Sequence, residues 1–132
     1  MVVIFGEPQG KCRPRFTKRG NFVSTYTPKE TLSYENLVKV EYMEQCGKYY
    51  NDKELTCEIY AYFGIPKSTS KRKAKLMQEE EIKPTKKPDV DNIAKIILDA
   101  LNGVAYKDDA QVVNLMVRKY YSDRPRIEFD IY

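Results

Sequence analysis

Residues 55–63 alternate without a break. Leu55, Cys57, Ile59, Ala61 and Phe63 fall on one side of an extended chain, and Thr56, Glu58, Tyr60 and Tyr62 on the other. That period of two predicts a strand with one buried face, stopped by Pro66. Shorter runs predict an opening strand at Val2–Phe5, ended by Gly6 and Pro8, a strand over Gln111–Tyr121, and a closing strand from Ile127 to Tyr132 with Ile127, Phe129 and Ile131 inward. A second period marks helices. Ile93, Ile96, Ile97, Ala100, Leu101 and Val104 recur at intervals of three and four, which predicts a helix over Asp91–Asn102 stopped by Gly103. Thr27-Pro28-Lys29-Glu30 has the form of a helix start, with Thr27 as cap and Pro28 in the first turn. Leu32, Tyr34, Leu37, Val40 and Met43 carry that helix to Gly47. Ser68 or Ser70 caps a short charged helix running to Glu80, and residues 9–27, with Pro14 and Gly20, form a long loop or hairpin arm. The order strand-helix-strand-helix-helix-strand-strand predicts an α+β fold, a mixed β-sheet flanked by helices.

At 132 residues the chain is expected to form a single domain, 1–132. Such a domain buries roughly two-thirds of its unfolded surface and folds without a metal or disulfide staple. Composition is that of a globular protein, 42% hydrophobic and 32% charged. No apolar run reaches the roughly 18–20 residues of a membrane helix, and the N-terminus lacks the pattern of an export signal, so a cytoplasmic protein without membrane contact is expected. The sequence has no histidine, which removes Ser-His-Asp, Cys-His and His-zinc chemistry. Cys12, Cys46 and Cys57 form no Cys-x-x-Cys pair and read as reduced small hydrophobes. Chemistry must therefore run on carboxylates, lysine, arginine, hydroxyls or a bound ion.

Net charge is only +4, but it is segregated. Between Gln9 and Lys29 stand Lys11, Arg13, Arg15, Lys18, Arg19 and Lys29 with no acid. Between Pro66 and Pro88 stand Lys67, Lys71, Arg72, Lys73, Lys75, Lys83, Lys86 and Lys87 against three glutamates, Glu79 to Glu81. Either segment alone is as well explained as a solvated loop. Two of them flanking an acidic cluster favour a nucleic-acid surface, because each neutralised phosphate releases a condensed counterion.

The acidic cluster is Asp89-Val90-Asp91-Asn92-Ile93-Ala94-Lys95, followed by Asp99 and by Asp108-Asp109-Ala110-Gln111-Val112. Asp89 and Asp91 project together if the approach to the helix is extended, and Asp91 could also cap it. Lys95 and Asp99 continue the polar line at intervals of four. A third carboxylate from Asp108 or Asp109 could approach the first two. Three carboxylates without histidine suit a hard cation, Mg²⁺ or Mn²⁺ as substitute, which activates water and stabilises a phosphodiester transition state. Each piece has a plainer explanation: Asp91 as a helix cap, Lys95 as half of a surface pair, Asp108-Asp109 as a turn. Two rival motifs fail. An EF-hand starting at Asp89 would need ligands and a glycine where Ile93 and Ala94 stand, and Glu81-Ile82-Lys83 precedes Pro88-Asp89 instead of following it.

At these residues the chain resembles the RusA-like Holliday junction resolvases, small endodeoxyribonucleases of bacteria and their prophages. The resemblance is carried by Asp89-Val90-Asp91-Asn92-Ile93-Ala94-Lys95, by Asp99-Ala100-Leu101-Asn102-Gly103 and by Asp108-Asp109-Ala110-Gln111-Val112. Lys11-Cys12-Arg13-Pro14-Arg15-Phe16 and Tyr26-Thr27-Pro28 are similar to phage-type members. The resemblance implies a Mg²⁺-dependent homodimer that cuts opposed strands of a four-way DNA junction. It implies Asp89, Asp91 and Asp109 as catalytic, metal-binding carboxylates and Lys95 as the essential lysine, with the part of Asp108 left open. The chain departs from better-known members in carrying Lys83, Lys86 and Lys87, interrupted by Pro84 and Pro88, where those have an arginine run. A non-catalytic nucleic-acid-binding module and a flap or branched-DNA nuclease are the alternatives.

Overall fold

The computed structural model describes residues 1–26 and 28–132. Its elements in chain order are β1 (Val2–Phe5), β2 (Arg15–Arg19), β3 (Phe22–Tyr26), α1 (Lys29–Gln45), β4 (Leu55–Gly64), α2 (Lys71–Gln78), α3 (Val90–Ala100), β5 (Val112–Ser122) and β6 (Arg126–Ile131). Four strands form one sheet in the order β1-β6-β4-β5, antiparallel except where β4 and β5 run parallel. The fold is α+β with a mixed sheet. Strands β2 and β3 make a separate two-stranded hairpin, which adds two strands to the expected order.

The alternation of β4 is realised in full. Leu55, Cys57, Ile59 and Ala61 are completely buried, and Phe63 nearly so. Val2 and Ile4 from β1 and Ile127, Phe129 and Ile131 from β6 extend the same inner face. The stripe of α3 covers it, with Ile93, Ile96, Ile97, Ala100 and Leu101 buried. Helix α2 starts from Ser70, whose hydroxyl accepts the Lys73 amide at 3.3 Å, and it ends two residues short of the predicted Glu80. Helix α3 starts earlier than predicted. Asp89, in extended conformation, takes the cap position, and Asp91 lies in the first turn. The free edge of β1 is closed by the Gln45 side chain, which accepts from Val3 N and donates to Val3 O, both at 2.8 Å.

Helix α1 corrects the expected core face. Thr31, Tyr34, Val38 and Tyr42 are the buried positions, whereas Leu32, Leu37, Val40 and Met43 are 40 to 59% exposed. The reason is the amphipathic shape of tyrosine. The Tyr42 ring stacks on Phe129 with centroids 6.4 Å apart, and its hydroxyl donates to the Lys48 carbonyl, so a residue with a polar tip fills the core at no polar cost. Pro28 sits at the cap position, one residue before the helix, and the cap proposed for Thr27 lies outside the described residues. Tyr42→Ala should cost about 3–5 kcal/mol in urea unfolding, as for a buried aromatic. Val40→Ala should stay within about 0.5 kcal/mol of wild type.

Candidate active site

The site is built along α3. Asp91, Lys95 and Asp99 follow at intervals of four and so share one face of the helix. Past its C-terminus the chain turns through Gly103, whose φ of +76° suits glycine. The buried Tyr106 then pins the loop, its hydroxyl donating to Leu98 O at 2.7 Å and its carbonyl accepting from Gly103 N at 2.7 Å. Asn102 Oδ1 accepts the amide of Asp109 at 2.9 Å. The Gln111 side chain accepts from Lys107 N at 3.1 Å and donates to Lys53 O at 3.2 Å. Asn102, Gly103 and Gln111 thus fix where Asp109 stands.

That place is the C-terminal end of α3. The Asp109 carboxyl lies within hydrogen-bonding reach of Asp108 and Asp99, and partial burial, followed by those two charges, raises its pKa. Asp99 in turn forms an ion pair with Lys11 Nζ at 3.3 Å, and Lys11 donates a hydrogen bond to Glu35 of α1 at 2.5 Å. Burial alone would lower the Lys11 pKa, but the two carboxylates outweigh it and raise it. Asp89 and Asp91 belong to the opposite end. Eight residues separate Asp91 from Asp99, about 12 Å along the axis. Among the described residues no three Asp, Glu, Cys or His side chains are grouped to hold one ion. Within one chain Asp89 and Asp91 stand at the start of the helix, and Asp109 stands with Asp99 and Asp108 beyond its end. The cause is the short loop from Asn102 to Asp108, held at the C-terminal end by Tyr106. The donor chemistry still suits Mg²⁺, which retains several waters and needs only one or two carboxylates besides the substrate's phosphate.

Around the N-terminal pair the structure gathers positive charge. Gly10 packs so closely on the start of α3 that an added Cβ would stand 2.7 Å from Pro88 Cβ and 3.1 Å from Asn92 Cβ. Lys11 N donates to Asn92 O at 2.9 Å. This clamp lays the first basic segment against Asp89 and forms a groove of about 750 Å³ lined by Lys11, Arg13, Arg15, Lys87 and Asp89, among others. Lys18 and Arg19 are exposed on the hairpin. Lys71, Arg72 and Lys73, in the first turn of α2, and Lys83 beyond it are exposed and do not line the groove.

Residues 6–132 match the protein family described as Endodeoxyribonuclease RusA. The chain belongs to this family. It is also 36% identical over 127 residues to a protein of Bacillus subtilis (strain 168) described as "Uncharacterized protein YqaN", covering 95% of this chain and 89% of that one.

In this RusA-family chain the fold adds residues that the motif does not mark. Lys119, near the end of β5, donates to Lys86 O at 2.5 Å and lies within electrostatic reach of Asp89. Burial lowers its pKa, Asp89 opposes the shift, and Lys86 adds to it. Nothing local in the sequence points to Lys119. Parallel pairing of β4 with β5 brings the end of β5 to the start of α3, and only the topology shows it. The Lys11–Glu35–Asp99 network is equally silent in the sequence, although Asp99 stands on the same polar line as Asp91. Lys95 is exposed and, among the described residues, forms no ion pair within 4.0 Å. The plainer explanation of this lysine, a surface pair with Asp91 or Asp99, is not realised among the described residues, and Asp99 is engaged by Lys11 instead.

The groove, with Lys86 beside it over the Phe63 and Tyr121 rings, predicts a salt signature. Changing Arg13, Arg15, Lys86 and Lys87 together to Gln should weaken DNA binding and lower the slope of log K against log salt by up to about 3.6, at about 0.9 for each phosphate that is no longer neutralised. An unchanged slope would show that DNA binds elsewhere.

Proposed function

We propose that this chain is a Mg²⁺-dependent structure-selective endodeoxyribonuclease, with Mn²⁺ as a substitute, that acts as a two-fold dimer and cuts paired strands of a four-way DNA junction during recombination or repair. The observation that carries this reading is the groove in which Asp89 stands among Lys11, Arg13, Arg15 and Lys87. A carboxylate placed inside a cationic groove weakens polyanion binding unless it serves another purpose. Asp89 and Asp91 are proposed to hold the cation. Asp109, crowded by Asp108 and Asp99, is the proposed third carboxylate of the assembled complex. When bound, the ion would supply a polarised water and neutralise charge on the phosphate. The chain's own residues position the DNA: Arg13, Arg15 and Lys87 hold phosphates along the groove, and the unpaired Lys95 ammonium adds fixed positive charge at the reacting phosphate.

Two opposed cuts need two active sites, and a C₂ dimer is the simplest arrangement that supplies them. No helix among the described residues is long and apolar enough to cross a membrane. The test is to incubate the purified protein with a mobile four-way junction, with and without Mg²⁺, and to map the cuts. Paired cuts that require the metal are expected. Tight junction binding with no cleavage in Mg²⁺ or Mn²⁺ would instead make the chain a binding module.

A further inference from the structure

Strands β2 and β3 form a hairpin whose ten residues are all exposed. Phe22 is 78% exposed and Tyr26 48%, in an arm that carries basic residues and no acid. The register pairs Arg15 with Tyr26, Thr17 with Ser24 and Arg19 with Phe22. Directly paired residues of an antiparallel ladder project from the same face, and positions two apart share it. One face of the hairpin is therefore two arginine–aromatic pairs separated by a Thr–Ser pair, and its six side chains line a common hollow apart from Arg15. Arg15 lines the groove beside Asp89 instead, so the hairpin is continuous with the candidate site. From Arg15 to Arg19 the ladder reaches about 14 Å, at about 3.4 Å per residue. The turn at the tip is built on Gly20 with φ of +59°, which suits the first position of a tight hairpin turn.

A contiguous patch of exposed rings on one arm marks an interaction surface, and the charge here selects its partner's chemistry. Arginine beside each ring, on an arm without acid, favours a polyanion that also offers flat rings. Single-stranded nucleic acid is such a partner, because bases stack on aromatic faces while guanidinium groups hold the adjoining phosphates. We propose that Phe22 and Tyr26 stack on bases that are unpaired or easily unstacked at a DNA branch point, with Arg19 and Arg15 on the flanking phosphates. The hairpin is then the element that distinguishes branched from continuous duplex DNA. This rests on the nuclease reading above only for the identity of the DNA, and the two can fail separately.

The test uses the full chain with divalent cations chelated and a four-way junction carrying 5-iodouracil at the branch point. Irradiation should crosslink that base to Phe22 or Tyr26. The double variant Phe22→Leu/Tyr26→Leu keeps apolar bulk and every charge. It should bind the junction about 5- to 100-fold more weakly, with duplex affinity and salt slope unchanged. The aromatic exchange Phe22→Tyr/Tyr26→Phe should restore junction affinity. Equal affinity of the leucine variant for the junction, or an equal loss on junction and duplex, would overturn the proposal. So would a fall in sedimentation mass in the leucine variant, which would show that the hairpin docks on a second copy. Wild-type protein that crosslinks through the hairpin but never cuts in Mg²⁺ would refute the nuclease and leave this inference standing.

Discussion

Asp89→Asn and Asp91→Asn should each reduce junction cleavage by about 10³-fold or more, with junction affinity unchanged or higher. The loss follows because an amide cannot supply the charge that holds a hard divalent ion. The gain in affinity follows because each change removes a negative charge near the phosphates of the groove. Asp109→Asn should lose cleavage too, but with a second effect. Burial and the neighbouring Asp108 and Asp99 raise the pKa of Asp109 in the fold, so its ionised form opposes folding. The sign is that of a carboxyl whose folded pKa is raised: its favourable share is present below the unfolded pKa of about 3.9 and is lost as pH rises through the folded value. At neutral pH without divalent ions, Asp109→Asn should therefore melt above wild type, and the difference should close as pH falls toward about 3. Mg²⁺ should narrow the gap from the other side by stabilising the wild type, with its third carboxylate, more than the variant. Single-turnover cleavage and melting curves across pH check both effects. Wild-type rates in any of the three variants would remove that residue from the site.

Elements whose buried side is written in aliphatic residues were legible in the sequence. The inner face of β4 corresponds residue for residue to the buried positions, and the stripe of α3 does so at Ile93, Ile96, Ile97, Ala100 and Leu101, whereas Val104 is only partly buried and Ala94, outside the expected stripe, is buried as well. Helix α1 was legible as a helix but not in its orientation, because it bears aliphatic residues on one side and tyrosines on the other, and period alone does not rank them. The structure ranks them chiefly through Phe129, which is remote in sequence from the helix, with the Lys48 carbonyl just past its end taking the Tyr42 hydroxyl. The candidate site divides in the same way. Local spacing marked Asp89, Asp91 and Lys95 as candidates with Asp108 or Asp109 as a third carboxylate, and the family resemblance pointed to Asp109. Spacing placed Asp89 and Asp91 at the start of α3 but carried no information on where Asp109 would stand relative to them. That depends on the seven residues from Asn102 to Asp108 and on the anchoring of Tyr106, a long-range packing event. Lys119 and the Lys11 clamp arise from strand order and loop docking, so no window of sequence contains them.

Lys95→Ala separates a structural lysine from a catalytic one most sharply. In this fold Lys95 is exposed at the middle of α3 and has no carboxylate partner within 4.0 Å among the described residues. Removing it strands no buried charge, and alanine is the better helix former, so stability should change by less than about 0.5 kcal/mol. An ammonium kept free of its i−4 and i+4 carboxylates is available to a third anion, and the phosphate of a bound strand is the one the neighbouring groove supplies. Loss of one fixed charge at a transition state typically costs about 10²–10³ in rate. The variant should therefore melt with wild type, bind the junction nearly as well, and cut about 10²–10³-fold more slowly at saturating Mg²⁺. Lys95→Arg keeps the charge and should recover part of the rate. A Lys95→Ala protein that cuts at the wild-type rate would assign the lysine to solvation alone. One that loses several degrees of melting temperature along with its rate would show that it props the helix and does not act on the phosphate.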